Sequence, residues 1–259
     1  MKIQDAVIAI TGGAQGLGKA MALGLAKKGA NLALIDMNQE HLTQTQAECE
    51  ALGIQARTYL CDVSVESMVE NTFQKIIEHF GKLDGLINNV GIAGPTGMME
   101  DVSVDDWKTT IDTNLNSHFY FTKDAIPLLK RSGGSIVNLS STAGIFGFPL
   151  RTPYAASKWA IIGVTKSLAM ELGDFNIRVN AICPGSVSGD RIDRVIKAKS
   201  ESLSVDEKEL REDFESMVSL KTFVDKEDIA NMVVFLLSEE AKRVSGQIMT
   251  VDGNTERMD

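Results

Sequence analysis

Tyr154 and Lys158 stand four residues apart in the run Tyr-Ala-Ala-Ser-Lys, and Ser141 precedes the tyrosine by thirteen residues. On a helix, positions i and i+4 share a face, so the Lys158 ammonium can lie beside the Tyr154 phenol. A free tyrosine titrates near about 10 and is a poor base at neutral pH. A cation about 4 Å away, at an effective dielectric of about 20, contributes roughly 4 kcal/mol, or about 3 pKa units. A shift of that size brings a phenol into the range for general acid–base work. Ser141 adds a donor that can hold a substrate oxygen. The spacing alone is weak evidence, because a helix-start aromatic beside a solvated lysine looks the same.

The elements that must position these residues are legible as alternating patterns. Short apolar runs predict strands at Ala6–Ile10, Asn31–Asp36, Gln55–Leu60, Leu83–Asn88, Ser135–Ser140, Arg178–Cys183 and Gln247–Val251. Several are nearly continuous in Val, Ile and Leu, as strands buried on both faces should be. Helical periodicity falls between them, near Gly16–Lys28, Asn38–Leu52, Val65–Phe80, Val104–Lys130, Tyr154–Gly173 and Lys226–Ser238. This β-α alternation predicts an α/β fold, a doubly wound parallel sheet with helices on both faces. No Pro- or Ser-rich linker divides residues 1–259, so a single domain is expected. Residues 186–223 break the alternation. They are polar and charged, with two helical pieces around Arg191–Ser200 and Asp206–Met217. A long connection of this kind suits a substrate lid, though a solvated helical hairpin would read the same way.

At the other end of the chain, Thr11-Gly12-Gly13-Ala14-Gln15-Gly16-Leu17-Gly18 follows the first strand and opens the first helix. Glycines let backbone approach a pyrophosphate, and the helix start offers free N–H groups. The spacing differs from the G-x-G-x-x-G fingerprint, and no Gly-Lys-Ser/Thr follows, so this is not a P-loop. Asp36 ends the second strand, where a carboxylate can accept both ribose hydroxyls of adenosine and would repel a 2′-phosphate. Met37, Asn38 and Gln15 supply no compensating cation. These features favour NAD over NADP. Asp36 could instead cap the helix that begins near Asn38. Asp62 and Val63 end the third strand, where Asp62 suits either adenine contact or a cap. Asn88-Asn89-Val90-Gly91 ends the fourth strand, where ligands of an open α/β sheet gather.

Composition narrows the function classes. The 259 residues carry a net charge of −9, with a pI near 5.0. That argues against general affinity for nucleic acid or anionic membrane. Cys49, Cys61 and Cys183 are odd in number and far apart, with no CxxC or Cys/His cluster. Neither a disulfide framework nor a metal site is predicted. With no signal peptide and no spanning apolar run, a reduced, cytoplasmic setting is the expectation.

Together these residues resemble the short-chain dehydrogenase/reductase family over essentially the whole chain. The Thr11–Gly18 loop, the Asn88–Gly91 turn, Asn114, Ser141, Tyr154, Lys158 and Pro184-Gly185 fall in that family's order. The resemblance implies a Rossmann-type domain, usually of seven parallel strands and often a homotetramer. It implies that Tyr154 is the catalytic acid/base and that Ser141, not Ser140, polarises the substrate carbonyl. Lys158 would also bind the nicotinamide ribose, and Asn114 would hold a water linking the lysine to solvent. Asn89 and the Val187 backbone would meet cofactor. Gly12, Gln15, Gly16, Leu17, Gly18, Asp36, Asp62, Val63, Gly91, Pro184 and Gly185 complete the expected cofactor site. Two departures stand out. Val90 replaces the usual alanine of the Asn-Asn-Ala-Gly turn, a change of packing more than chemistry. Gly189 stands where many members carry a threonine, and Ser186 or Ser188 could substitute.

Substrate clues are thinner. Arg151, Arg191 and Arg194 could receive an anion, or form a solvated face balanced by Asp190 and Asp193. Ile145, Phe146, Phe148 and Leu150 suit an apolar pocket wall, core or a subunit interface. The expected function is NAD-dependent interconversion of a secondary alcohol and a ketone, on a small alcohol, sugar or polyol. The alternatives are a 3-oxoacyl-thioester reductase and a non-catalytic NAD-binding sensor or scaffold.

Overall fold

Seven apolar runs pair side by side into one sheet in the order β3-β2-β1-β4-β5-β6-β7, every pair parallel. The structure, a computed structural model, describes residues 1–257, apart from the side chain of Arg191. The strands are β1 (Val7–Thr11), β2 (Asn31–Asp36), β3 (Ala56–Leu60), β4 (Gly85–Asn88), β5 (Gly134–Leu139), β6 (Ile177–Pro184) and β7 (Ile248–Val251). The helices between them are α1 (Gly16–Ala26), α2 (Gln39–Glu50), α3 (Glu66–Phe80), α4 (Val104–Ile111), α5 (Ser117–Leu129), α6 (Thr152–Glu171), α7 (Asp190–Leu203), α8 (Glu207–Ser216) and α9 (Lys226–Leu237).

Side-chain alternation along β1 explains why helices cover both faces. Ile8 and Ile10 join one core with α1 and α9, while Val7 and Ala9 join another with α3 and α5. A strand that must be apolar on both faces cannot alternate with polar residues, hence the continuous runs. The strand order reverses direction between β1 and β4. The carboxyl ends of those two strands therefore open a crevice, the usual ligand position in such sheets. Thr11 and Asn88 end the two strands there.

The periodic stretch Val104–Lys130, expected as one helix, is helical without a break from Val104 to Leu129 but carries a π-helical segment inside it. A five-residue π-helical turn, Asp112–Asn116, separates α4 from α5. The turn keeps the apolar spacing close enough to helical that periodicity does not register it. Residues 186–223 form the expected helical pair, α7 and α8, with a small core of their own: Ile192, Ile196, Leu210 and Phe214. Phe148, from the segment after β5, packs against that core. The outer face is solvated, and Arg211 pairs there with Asp193.

Candidate active site

The glycine loop folds back on itself tightly. Gly12 and Gly16 have φ of +66° and +56°, in the left-handed region. A Cβ on Gly18 would lie 1.8 Å from the Gly12 carbonyl oxygen, so only glycine fits. Thr45 Oγ1 donates to the Ala14 carbonyl at 2.7 Å and pins the loop from α2. The first helix has no side-chain cap and no acidic residue in its first turn. Its free N–H groups and positive dipole end suit an anion such as a pyrophosphate. Gln15 and Gly16 are exposed, Leu17 is half-buried and Gly18 is buried.

Asp36 closes this end. Its carboxylate accepts from Ala14 N at 3.2 Å, Met37 N at 2.8 Å and Asn38 N at 3.1 Å. The cap of α2 is Asn38, whose side chain accepts from His41 N, so Asp36 is not the helix cap. A carboxylate has about four acceptor sites, and three are used here. Asp62 bonds Ser64 N at 3.0 Å and Ser64 Oγ at 2.6 Å, stabilising the turn before α3 without capping the helix. Val63 beside it is buried.

At the Asn88–Gly91 turn the two asparagines differ in task. Asn88 is buried and donates to Thr122 Oγ1 and Asn138 Oδ1, tying β4 to α5 and β5. Asn89 donates to the carbonyls of Thr11 at 2.9 Å and Gly12 at 3.3 Å, joining the turn to the glycine loop. Val90 leans over Gly12, with its Cγ2 3.1 Å from where a Gly12 Cβ would be. That is the packing role expected of the alanine-to-valine departure.

Gly91 marks where the reactive residues meet. A Cβ there would lie 3.2 Å from Lys158 Nζ and 3.3 Å from Asn114 Oδ1. Asn114, inside the π-helical turn, is fully buried. Its Oδ1 accepts from Ile92 N at 2.7 Å, and its Nδ2 donates to Ile92 O at 3.0 Å and Ser157 Oγ at 3.2 Å. Lys158 Nζ donates to the Leu139 carbonyl at 2.9 Å and sits 5.8 Å from the Tyr154 ring centroid. The i, i+4 pair thus shares a face of α6, as its spacing predicts.

The two serines separate cleanly. Ser140 is buried and donates from Oγ to the Lys158 carbonyl at 2.8 Å. Ser141 is half-buried, and its Oγ accepts from Ala143 N at 3.2 Å. That bond leaves the Ser141 hydroxyl proton to donate elsewhere. At the end of β6, Gly185 passes so close to Asp252 that a Cβ would lie 2.8 Å from its Cβ. Val187 forms a parallel bridge with Val224, bonded through Ser186 O and Ser188 N. In a parallel bridge the central residue's own N–H and C=O point to the opposite side, so those of Val187 are turned from Val224. Gly189, at φ +125°, precedes α7.

Two features, His118 and the burial of Lys199, escape a reading of the sequence. His118 on α5 is buried, and neither ring nitrogen makes a well-formed hydrogen bond, the Val90 backbone lying nearby. Burial first, and then nearby Lys158, push its pKa down to about 3, against a small opposing contribution from the Val90 backbone. Lys199 on α7 is 4 % exposed and Arg151 is 3 % exposed. Arg151 donates to the Ala93 carbonyl at 2.5 Å, with its guanidinium 5.5 Å from the Tyr154 ring centroid. Arg194 is exposed on the outer side of α7, while the Arg191 side chain lies outside the described residues. Of the three arginines, Arg151 is the one described beside the tyrosine. No described helix is long and apolar enough to cross a membrane.

What the fold and site define is a class, the dinucleotide-dependent oxidoreductases built on a doubly wound sheet. Residues 12–254 match a family model described as enoyl-(acyl carrier protein) reductase. A 3beta-hydroxysteroid dehydrogenase of Mediterraneibacter gnavus is 35 % identical, over 97 % of this chain and 95 % of its own. A 3-oxoacyl-[acyl-carrier-protein] reductase of Thermotoga maritima is 34 % identical, over 98 % of each. The NAD+-bound xylitol dehydrogenase structure superposes with a TM-score of 0.94 at 32 % identity, covering 98 % of this chain and all of that one. An actinorhodin polyketide ketoreductase with NADPH superposes at 0.90 and 31 % identity, covering 96 % of each. The chain belongs to the short-chain dehydrogenase/reductase family. It is accordingly an oxidoreductase with a nucleotide cofactor.

Proposed function

We propose that the protein uses NAD to interconvert a secondary alcohol and a ketone, with Tyr154 as acid/base. The observation that carries this reading is the convergence of Lys158 and Asn114 at Gly91, with Lys158 beside the Tyr154 ring. The residues fit the cofactor: Gly12, Gly16 and Gly18 form a cradle without side chains, and Asp36 ends β2 with acceptor capacity to spare. Gln15, Leu17, Asp62, Val63, Asn89, Gly91, Pro184, Gly185 and the Val187 backbone complete the site, with Tyr154 and Lys158 at its reactive end. The nicotinamide supplies hydride acceptance in oxidation and hydride donation in reduction.

In oxidation, Tyr154 takes the proton of the substrate hydroxyl. Lys158 favours the phenolate that can do so. Ser141 donates to the substrate oxygen as negative charge develops on it. Asn114 is positioned to hold a water that returns the proton to solvent. In reduction, Tyr154 gives the proton back. The carboxylate of Asp36 disfavours a 2′-phosphate, which supports NAD over NADP in this chain. Single apolar side chains exposed on α5 and α6, among them Phe119 at 57 % and Met170 at 86 %, agree with burial against further copies in a homotetramer. A reducing cytoplasmic setting agrees with three buried, unpaired cysteines.

A panel of secondary alcohols, sugars and polyols with NAD+ and NADP+, followed by absorbance of the reduced cofactor, tests the reading. NAD+-linked oxidation of at least one class is expected. Absence of turnover throughout, in both directions, would refute it in favour of a binding protein. The Thermotoga relative favours a second reading, reduction of a 3-oxoacyl thioester. An acetoacetyl thioester assayed with NADH and NADPH separates the two.

A further inference from the structure

The helices α7 and α8 build a core from their own residues, Ile192, Ile196, Leu210 and Phe214. Among the described residues, Phe148 is the one apolar side chain from outside residues 186–223 that packs against it. Lys199 Nζ on α7 lies over the same ring, 5.7 Å from the Phe148 centroid, and is 5.3 Å from that of Phe214. Phe148 thus anchors the helical pair on the body of the molecule, six residues before Tyr154.

The backbone between Phe148 and Tyr154 is held in an unfavourable conformation. Leu150 has φ of +63°, in the left-handed region that a bulky side chain rarely enters. Such a conformation persists only where the surroundings impose it, and it concentrates at functional sites. Its neighbours impose it here. Phe148 is seated on the helical pair, and the Leu150 carbonyl accepts from Gly97 N at 2.9 Å. Arg151 N donates to the Phe148 carbonyl at 3.2 Å, and Arg151 O accepts from Ala155 N in the first turn of α6. The Arg151 side chain makes a parallel connection. Its guanidinium carbon lies 5.7 Å from the Phe148 ring centroid and 5.5 Å from that of Tyr154, while Nη2 donates to the Ala93 carbonyl. A packed row therefore runs from the core of α7 and α8, through Phe148 and Arg151, to the phenol.

We infer that Phe148 and Leu150 are positioning residues for Tyr154. With Phe148 seated on α7 and α8, the strained turn holds the start of α6, and with it the phenol, in working position. Release of the helical pair lets that turn relax and the phenol drift. Proton transfer is thereby tied to the seated position of α7 and α8. Coupling of this kind needs an element with two arrangements that both ends bias, and the Leu150 turn is that element. The task of Tyr154 rests on the hydride-transfer reading above; the coupling of the helical pair to the start of α6 does not.

Hydrogen–deuterium exchange of the protein–NADH complex measures the coupling with no substrate. In Phe148→Ala, amides of α7 and α8 and those of Ala155 to Lys158 are expected to exchange about tenfold faster than in wild type, or more. Adding Leu150→Gly, which takes the same φ without strain, should return Ala155 to Lys158 to near the wild-type rate while α7 and α8 stay fast. A loss of packing alone predicts the reverse, because a glycine then only adds freedom. Faster exchange at one of the two places only, or at neither, overturns the inference. So does a double variant in which Ala155 to Lys158 stay fast. Where Phe148→Ala fails to fold, Phe148→Leu replaces it, with smaller rises in the same pattern. The alcohol of the panel above that NAD+ oxidises fastest gives the second readout. The kcat of Phe148→Ala should fall by about tenfold or more, as displacement of a reacting group by about 1 Å produces, and Leu150→Gly should recover most of it. A fall in kcat of less than about threefold, whatever the change in KM, shows that Phe148 serves binding alone and overturns the inference. If no alcohol turns over, the hydride-transfer reading fails, and the exchange pattern still decides the coupling.

Discussion

The Lys158 ammonium donates a 2.9 Å hydrogen bond to the carbonyl of Leu139, the last residue of β5. The strand end that presents Ser141 thus also holds the lysine that accompanies Tyr154. Ser140 strengthens the same junction through the Lys158 carbonyl. Strand and helix are locked together where serine, tyrosine and lysine must keep their mutual spacing.

That lock separates stability from chemistry. Tyr154→Phe keeps the ring between its two cations and removes only the hydroxyl. Turnover is expected to fall by about 10²–10⁴-fold, the usual worth of a positioned acid/base. NADH affinity by fluorescence titration should stay near the wild-type value. Turnover near wild type would remove Tyr154 from the chemistry.

Lys158→Met should damage both. It removes the cation near the phenol and leaves the buried Leu139 carbonyl without that donor. A cost of about 1–3 kcal/mol is expected in chemical denaturation, together with a loss of turnover comparable to that of Tyr154→Phe. Unchanged stability would show that the carbonyl finds another partner.

Cofactor choice hangs on Asp36. The wild type should prefer NAD+ to NADP+ in kcat/KM by about 100-fold or more, since a phosphate against the carboxylate meets like-charge repulsion. Asp36→Ser should narrow the ratio mainly by weakening NAD+, and it also loses acceptors for Ala14, Met37 and Asn38. A wild type that uses both cofactors equally contradicts the assignment.

His118 makes an acid-stability prediction. Its pKa is about 3 in the fold and about 6.5 in the unfolded chain. Unfolded chains therefore bind the proton first as pH falls, and stability drops progressively from about pH 6.5 toward 3. At pH 5 the cost is about 2 kcal/mol, and above pH 7 it vanishes. Melts of wild type and His118→Leu at pH 7.5 and 5 measure it. The variant should lose less stability than wild type on acidification; an equal loss in both places the effect elsewhere.

Two glycines of one loop should respond differently. Gly16→Ala meets open space and only a left-handed φ, a strain of roughly 1 kcal/mol. Gly18→Ala drives a Cβ into the Gly12 carbonyl. The loop must then shift, so NADH affinity should fall by more than about tenfold, with a lower Tm. Similar effects of the two substitutions would mean that the loop relaxes freely.

The sheet was readable because two-sided burial leaves a plain mark: Asn31–Asp36 has the same bounds in sequence and structure. The Ser141, Tyr154 and Lys158 set was readable because helical spacing brings a near pair onto one face. Periodicity could not see the π-helical turn, which differs from an α-helix by one residue. Nor could it see Lys199 and Phe214 meeting Phe148. Those positions lie on three separate segments, and only tertiary packing brings them together. Asp36 was ambiguous between ligand and cap until Asn38 was seen to bond His41 N.

The π-helical turn at Asp112–Asn116 has a consequence for how this gene can change. Such a turn takes up one residue more than an α-helical turn while the helix on either side keeps its phase. Deleting one residue there would close it to an α-helical turn and leave the apolar stripe of α5 on β4 and β5. What the deletion would withdraw is Asn114 from Ile92 and Ser157. The surplus residue therefore serves the site more than the fold, and length, more than composition, is what this segment must conserve.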